Sequence, residues 1–244
     1  MPRKGKKLIS DNVVPNPQST DEQGMPLRVA QRLPVYLRHL RELSEMGVER
    51  ISSAELGALI GVTSSQLKQD LSYIGGFGQQ GYGFRVDDLY EKLSQVLGLD
   101  QRCKLILVGA GNLGKALVNY DGFRRLGYHF VAIFDNDPAT IGSRVGVMEV
   151  QHVDELPNYL RSYRVDIGVL TVPETVAQEV AETMVENGIK AIWSFAPVQL
   201  RLPGHVLVEH LHLSDSLMSL AFRLHYRRQQ ERQAKKEKTQ EPAT

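Results

Sequence analysis

Apolar residues recur along this chain in two rhythms, helical at first and then strand-like and helical by turns. In the first part, Leu33, Tyr36, Leu37, Leu40 and Leu43 make one helical stripe, which Gly47 ends. Pro34 places the start of that helix, or a bend in it. Ser52-Ser53-Ala54-Glu55 has the form of a capping box, opening a short helix that buries Leu56, Leu59 and Ile60 and stops at Gly61. Thr63-Ser64-Ser65-Gln66 has the same form and opens a helix burying Leu67, Leu71 and Ile74. Two short capped helices across Gly61-Val62 predict a helix-turn-helix. Five glycines then fall between Gly75 and Gly83, which no helix would tolerate. That stretch predicts a hairpin whose return strand alternates Tyr82, Phe84 and Val86. A further helix, capped by Asp87 or Asp88, turns Leu89, Leu93, Val96 and Leu97 inward and ends at Gly98. Helix-turn-helix followed by hairpin is the order of a winged helix.

From Cys103 onward the pattern alternates. Strands are predicted at 103–108, 129–134, 147–150, 166–172, 189–193 and 206–211, and helices near 112–120, 153–163 and 174–187. Such alternation predicts a parallel sheet covered by helices. A last helix begins near Ser214 with the stripe Leu213, Leu217, Leu220, Ala221 and Leu224. It is too apolar to stand free, and must pack on its own domain or on a partner subunit. After Arg227 the residues are Arg-, Lys- and Gln-rich, and fraying into solvent is expected. The expected class is therefore α/β, an N-terminal winged helix-turn-helix domain plus a Rossmann-like parallel-sheet domain. The expected divisions are a flexible tail over 1–26, a winged-helix domain over 27–98, a nucleotide-binding domain over 99–212, a terminal helix over 213–228 and a basic tail over 229–244.

Composition narrows this. The 244 residues suffice for two modest domains. No apolar run approaches the roughly 20 residues of a membrane helix. The basic start, Arg3 to Lys7, leads into Asp11, Asn12 and Pro15 rather than an apolar signal core. The single cysteine, Cys103, excludes an internal disulfide and a cysteine metal cluster and fits a reducing, cytoplasmic setting. His205, His210 and His212 lack ligand spacing, so no metal is expected. The net charge of +1 argues against a strongly basic nucleic-acid binder. It is an average over unlike parts. Residues 27–98 carry eight cations and eight carboxylates, residues 101–222 ten and thirteen, and residues 223–244 seven and three.

Three constellations carry chemistry. Gly109-Ala110-Gly111-Asn112-Leu113-Gly114 follows the strand ending at Val108 and opens a helix. Gly109 allows the tight turn, Gly111 a close approach of backbone to a pyrophosphate, and Gly114 close helix–strand packing. Asp135 ends the second strand where a carboxylate binds the adenine ribose hydroxyls. No Arg immediately follows it, which favours NAD over NADP. The alternatives are a glycine turn that binds nothing and a nucleotide such as coenzyme A. Thr171-Val172-Pro173 and Ser194-Phe195-Ala196-Pro197 end strands at the edge where such sheets bind ligands. The second constellation is the outer face of the second capped helix, Ser64, Ser65, Lys68, Gln69 and Ser72, with Gln66 and Tyr73 beside it and the wing tip Gln79 to Tyr82. These side chains can meet phosphates or base edges. Protein docking is the alternative, since Lys68 is the helix's one cation. The third is the basic end of the terminal helix, from Arg223 to Lys238.

In combination, these residues resemble the Rex family of redox-sensing transcriptional repressors, from about Pro26 to Tyr226. Arg32-Leu33-Pro34-Val35-Tyr36-Leu37-Arg38, Asp70-Leu71-Ser72-Tyr73 and Gly81-Tyr82-Gly83 carry the likeness in the first domain. Leu170-Thr171-Val172-Pro173 and Phe195-Ala196-Pro197 carry it in the second. The resemblance implies a homodimer that binds operator DNA when NADH is scarce and releases it as NADH rises, with no catalysis. It implies a terminal helix exchanged between subunits and wedged between the partner's two domains. It places Tyr120 and Leu213 near the nicotinamide, and Arg38 at the domain interface as Tyr120's partner in a switch. The family's aspartate before the terminal helix aligns with His212, its paired basic residues on the reader helix with Leu67-Lys68, and its asparagine before Phe-Ala-Pro with Ser194. Two other functions share the motifs: an NAD-dependent dehydrogenase with a fused winged-helix domain, and a coenzyme A-responsive regulator. The first lacks room for a substrate domain.

Overall fold

The computed structural model describes residues 24–75 and 83–240, with 234–240 as backbone only. The chain divides into two compact units. One runs to Cys103 and takes in Asp121–His129. The other holds Lys104–Tyr120 and everything from Phe130.

In the first unit, helices α1 (Leu27–Ala30) and α2 (Leu33–Glu45) are followed by β1 (Arg50–Ile51), α3 (Ser53–Ile60), α4 (Ser64–Ser72), β2 (Phe84–Arg85) and α5 (Val86–Val96). Pro34 lies in the first turn of α2, where its missing N–H costs nothing. Ser52 and Glu55 form the full reciprocal capping box of α3, and Gly61 ends that helix in the left-handed region at φ 76°. α2 packs on α5, and α3 on α4. Leu33, Tyr36, Leu40, Leu56, Leu67, Leu71, Ile74, Leu89 and Leu93 make one core.

Several expectations need correction. Met25, assigned to the tail, is buried in this core. Leu59 is exposed, because α3 meets its neighbour through Leu56 and Gly57, beside the Val62 carbonyl. Asp87 and Asp88 do not cap α5. The helix starts at Val86 after Arg85, and both carboxylates sit in its first turn, at the positive end of the helix dipole. Val86 is thus helical, not part of a return strand. Phe84–Arg85 pairs antiparallel with Arg50–Ile51, so the strand of the expected wing is zipped to the segment before α3. Gly83, at φ 69°, lies against Ile51, where a Cβ would come 2.6 Å from the carbonyl oxygen. The wing residues Gln79, Gln80, Gly81 and Tyr82 lie outside the described residues, as does the start of the chain.

The second unit is built on a seven-stranded sheet. Its strands are β3 (Cys103–Val108), β4 (Tyr128–Asp135), β5 (Arg144–Val145), β6 (Met148–His152), β7 (Ile167–Leu170), β8 (Ala191–Ser194) and β9 (Leu207–His210). The order across the sheet is β5-β6-β4-β3-β7-β8-β9. Leaving aside the short antiparallel edge strand β5, this is the doubly wound order 3-2-1-4-5-6. Helices α6 (Asn112–Val118), α8 (Leu156–Ser162) and α9 (Glu174–Glu186) connect the strands, and α7 (Asp121–Arg125) belongs to the first unit. Ile106, Val108, Phe134, Leu156, Leu170, Ala177, Ala181 and Met184 form the core on the α8–α9 side.

The last helix, α10, runs unbroken from Leu213 to Gln240. The expectation of fraying after Arg227 is corrected. Strong helix formers and an Arg227–Glu231 pair one turn apart, at 3.3 Å, carry the helix on. Leu213, Leu217, Leu220 and Leu224 are all exposed. So are Met218, Phe222 and Tyr226, a second apolar row that the sequence reading missed.

Candidate functional site

The sheet order reverses between β3 and β7, so the connections leaving their carboxyl ends part to opposite sides and open a crevice. Gly109 and Thr171 face each other there. Gly109 has φ 103°, and a Cβ on it would come 2.6 Å from the Thr171 carbonyl oxygen. The Thr171 hydroxyl donates to the Gly109 carbonyl at 2.6 Å, tying the two strand ends together. A Cβ on Gly114 would strike the same turn, 2.1 Å from the Gly109 carbonyl oxygen. Gly111 differs, with nothing within 4 Å of its Cβ position. Two glycines are required by the protein's own packing, and the third leaves its backbone open to a ligand.

Asp135 closes the other side. One carboxylate oxygen accepts the Ala110 N–H at 2.5 Å and the other the Asp137 N–H at 2.9 Å. The fingerprint acid is thus pinned against the glycine turn, with lone pairs left over for ligand hydroxyls. Asp137 caps its own loop through Ala139 and Thr140. Around these groups lies a cleft of about 930 Å³. Gly109, Gly111, Asp135, Thr171, Val172 and Pro173 all line it, as expected. Asp137, Asp154 and Glu179 add carboxylates, and no Lys or Arg is among the lining residues. A nucleotide with a free ribose diol fits this rim. One bearing a phosphate on that ribose, as NADP and coenzyme A do, meets like charge. The apolar wall of Val153, Leu156, Val176 and Val180 was missed in the sequence, since each reads there as ordinary core.

Other expected ligand residues stand apart from the lining. Ala110 serves through its N–H, while Asn112, Leu113 and Gly114 lie in the first turn of α6. Tyr120 and Leu213 are each 61% exposed. Phe195 packs on Trp193, ring centroids 4.5 Å apart. Beside them, Ser194 pairs with His210 across β8 and β9. The Ser194 hydroxyl and both His210 ring nitrogens are buried without a hydrogen-bond partner among the described residues. Burial, with His212 stacked 6.2 Å away, pushes the His210 pKa down against the opposing pull of Glu209.

On the first unit, Thr63 caps α4 by accepting the Gln66 N–H at 3.1 Å. The return half of the expected capping box is missing. The Gln66 side chain instead donates to Asp70 at 2.8 Å. Asp70, fully buried on α4, also accepts both forks of Arg32 at 2.7 Å and the Tyr36 hydroxyl at 2.5 Å. Gln66 is therefore a strut under the helix rather than part of its outer face. Ser64 is half-buried, and its hydroxyl shares a 2.8 Å hydrogen bond with that of Ser53. Ser65, Lys68, Gln69, Ser72 and Tyr73 remain exposed. Arg38 is exposed on α2 of the first unit, whereas Tyr120 and His212 belong to the second.

The first 49 residues of the described first unit match a model described as a putative DNA-binding protein N-terminus, over residues 24–72, and residues 100–198 match a CoA binding domain. A redox-sensing transcriptional repressor Rex of Caldicellulosiruptor saccharolyticus is 48% identical over 83% of this chain and 93% of its own. One from Clostridium botulinum is 47% identical over 84% of this chain and 98% of its own. The chain belongs to the Rex family of redox-sensing transcriptional repressors. Two solved Rex-family structures agree. RSP in complex with NADH is 41% identical, with a TM-score of 0.79, over 84% of this chain and 97% of that one. RSP in complex with NAD+ and operator DNA is 44% identical, with a TM-score of 0.78, over 88% and 98%.

Proposed function

We propose that this chain is a homodimeric repressor that binds operator DNA and releases it on binding NADH. One observation carries the cofactor assignment: Asp135 held against the glycine turn, in a cleft whose lining has carboxylates and no cation. Gly109, Ala110, Gly111, Asn112, Leu113 and Gly114 cradle the pyrophosphate, Gly111 through its open backbone. Asp135 takes the adenine ribose, and Thr171, Val172 and Pro173 form the floor. Tyr120, Phe195 and Leu213 serve the nicotinamide end. NADH and NAD+ differ there in ring charge and planarity, and a difference in their binding energy can bias two arrangements of the dimer by that difference and no more. Arg38, Tyr120 and His212 form the switch. Ser65, Lys68, Gln69, Ser72 and Tyr73 read DNA, with Gly81, Tyr82 and Gly83 in the wing.

The DNA-binding domain then runs from Met25 to Gly98, the nucleotide domain over 99–212 and the terminal helix from Leu213 to Gln240. The α10 helix is apolar on two faces, which calls for cover on both sides, and a helix exchanged with a second copy supplies it. The chain acts in the cytoplasm and binds its nucleotide without turnover or metal. No described helix is long and apolar enough to cross a membrane.

The test is operator binding across NADH:NAD+ ratios at fixed salt, with Asp135→Ala alongside. NADH should lower operator affinity in the parent. The variant should bind DNA equally well and need at least tenfold more NADH to release it. Operator affinity indifferent to saturating NADH sinks the reading, and consumption of NADH with a small carbonyl compound would favour a dehydrogenase.

A further inference from the structure

The reader domain is poor in charge to spend on DNA. Its eight cations are matched by eight carboxylates. The structure also commits one of them outright: Arg32 is bound to buried Asp70, whereas Arg41 and Arg85 make only exposed pairs of 3.7 and 3.6 Å with Glu45 and Asp88. Lys68 is the single cation on α4. Yet duplex binding draws much of its affinity from neutralised phosphates. The charge lies elsewhere. Residues 223–244 hold seven cations against three carboxylates, and the structure makes residues 223–240 a continuous helix rather than a loose tail. Its rise of about 1.5 Å per residue extends that basic stretch over roughly 27 Å, comparable to eight steps along one DNA strand. Arg223 and Arg227 lie one turn apart, as do Arg228 and Arg232, and all four are exposed. Arg227 alone of these has an ion-pair partner among the described residues, Glu231, and that pair is solvent-exposed and weak.

We infer that the basic end of α10 is a second DNA contact, a helical arm that binds phosphates of the duplex without reading sequence. This rests on the chain being a DNA-binding repressor and adds a contact outside the winged helix. The competing occupant is the acidic ligand domain of a second copy, with its thirteen carboxylates against ten cations over residues 101–222. The continuous helical form of this basic stretch and the charge balance of the reader domain favour DNA.

The experiment uses the whole protein with Arg227, Arg228 and Arg232 replaced by Gln, and a conservative Lys triple beside it. Binding to a mixed-sequence duplex of about 30 base pairs, without a selected site, is followed by fluorescence anisotropy across salt, since each phosphate contact contributes about 0.9 to the slope of log K against log salt. The Gln triple should flatten the slope by about 2.7 for each arm engaged and weaken binding tenfold or more at the lowest salt, while the Lys triple keeps both. Sedimentation should find both variants dimeric and NADH affinity should be unchanged. A slope equal to the parent's overturns the inference. Loss of the dimer in the Gln triple also overturns it, and assigns the arm to the partner's acidic surface. If the parent itself fails to bind any duplex, the repressor reading fails instead.

Discussion

Asp70 is the residue on which the reader helix depends. A fully buried carboxylate has no place on a helix expected to face DNA, unless its partners outweigh the cost of removing it from water. Burial alone would raise its pKa. The Arg32, Tyr36 and Gln66 hydrogen bonds more than offset that and hold it below the ordinary carboxylate value. The Tyr36 hydroxyl is pushed the other way, to about 12, by burial and by the carboxylate it serves. Asp70→Asn keeps the shape but loses the charge, leaving Arg32 able to turn toward water. It should lower unfolding stability by about 2–4 kcal/mol, read from the urea midpoint. Replacing Arg32 and Asp70 together with Met and Leu should recover part of this. A loss below about 1 kcal/mol in Asp70→Asn would mean that the cluster does not hold α4 in place. The contact itself was not legible in the sequence, where Arg32 and Asp70 stand 38 positions apart and both enter only as parts of the motifs that carry the family likeness. The glycine fingerprint and Asp135 were legible because their roles depend on local backbone geometry. Gln66 was misread because a capping box and a strut to Asp70 ask for the same residue.

At the scale of elements, what followed from periodicity was found: the two capped helices, the strands β3, β4, β6, β7, β8 and β9, and the helices α6, α8 and α9 between them, but not the short β5 and α7. What depended on long-range pairing was not. β1 and β2 are two residues each; the alternation through Phe84 announced β2, but nothing announced its partner β1, which exists because it pairs with β2. The α10 helix shows the same limit differently. Its leucine stripe was plain, but Met218, Phe222 and Tyr226 on another face fell between the counts. The Phe222 and Tyr226 rings stack at 6.4 Å, making one exposed ridge. A helix apolar on two faces needs two surfaces. Leu217→Asp and Phe222→Asp should therefore each weaken the dimer, by well over tenfold, since each side chain is worth about 1.5–3 kcal/mol when buried and appears twice in a symmetric pair. Sedimentation equilibrium separates the outcomes. A Phe222→Asp protein as tightly dimeric as the parent would show that the second face stays in solvent.

Across the whole molecule the two units answer differently to acid. Asp70 has a depressed pKa, so its contribution to the first unit is present above the ordinary value of 3.8 and is lost as pH falls below it. Tyr36 adds an alkaline limit, since its stabilising neutral form is kept below pH 10 and lost as pH rises toward about 12. The first unit should thus hold a broad plateau. His210 is depressed as well, but from 6.5. The unfolded chain takes up its proton before the folded one does, so the second unit loses stability as pH falls below about 6.5. After burial, the neighbours bear on it in opposite senses, His212 lowering the His210 pKa further and Glu209 opposing it. Trp193, the single tryptophan, lies on β8 beside Ser194 and reports this unit alone. Thermal unfolding followed by tryptophan fluorescence should therefore fall steadily from pH 7 to pH 5, while the opening transition of the first unit, followed by the hydrogen-exchange protection of amides in α2, α4 and α5, does not. His210→Gln removes the proton site and should flatten the tryptophan profile in that window. Because a ligand that binds only the folded unit raises its stability, saturating NADH should lift the fluorescence transition at every pH and leave the other where it was. Parallel acid shifts of both transitions, persisting in His210→Gln, would place the sensitive group somewhere other than His210.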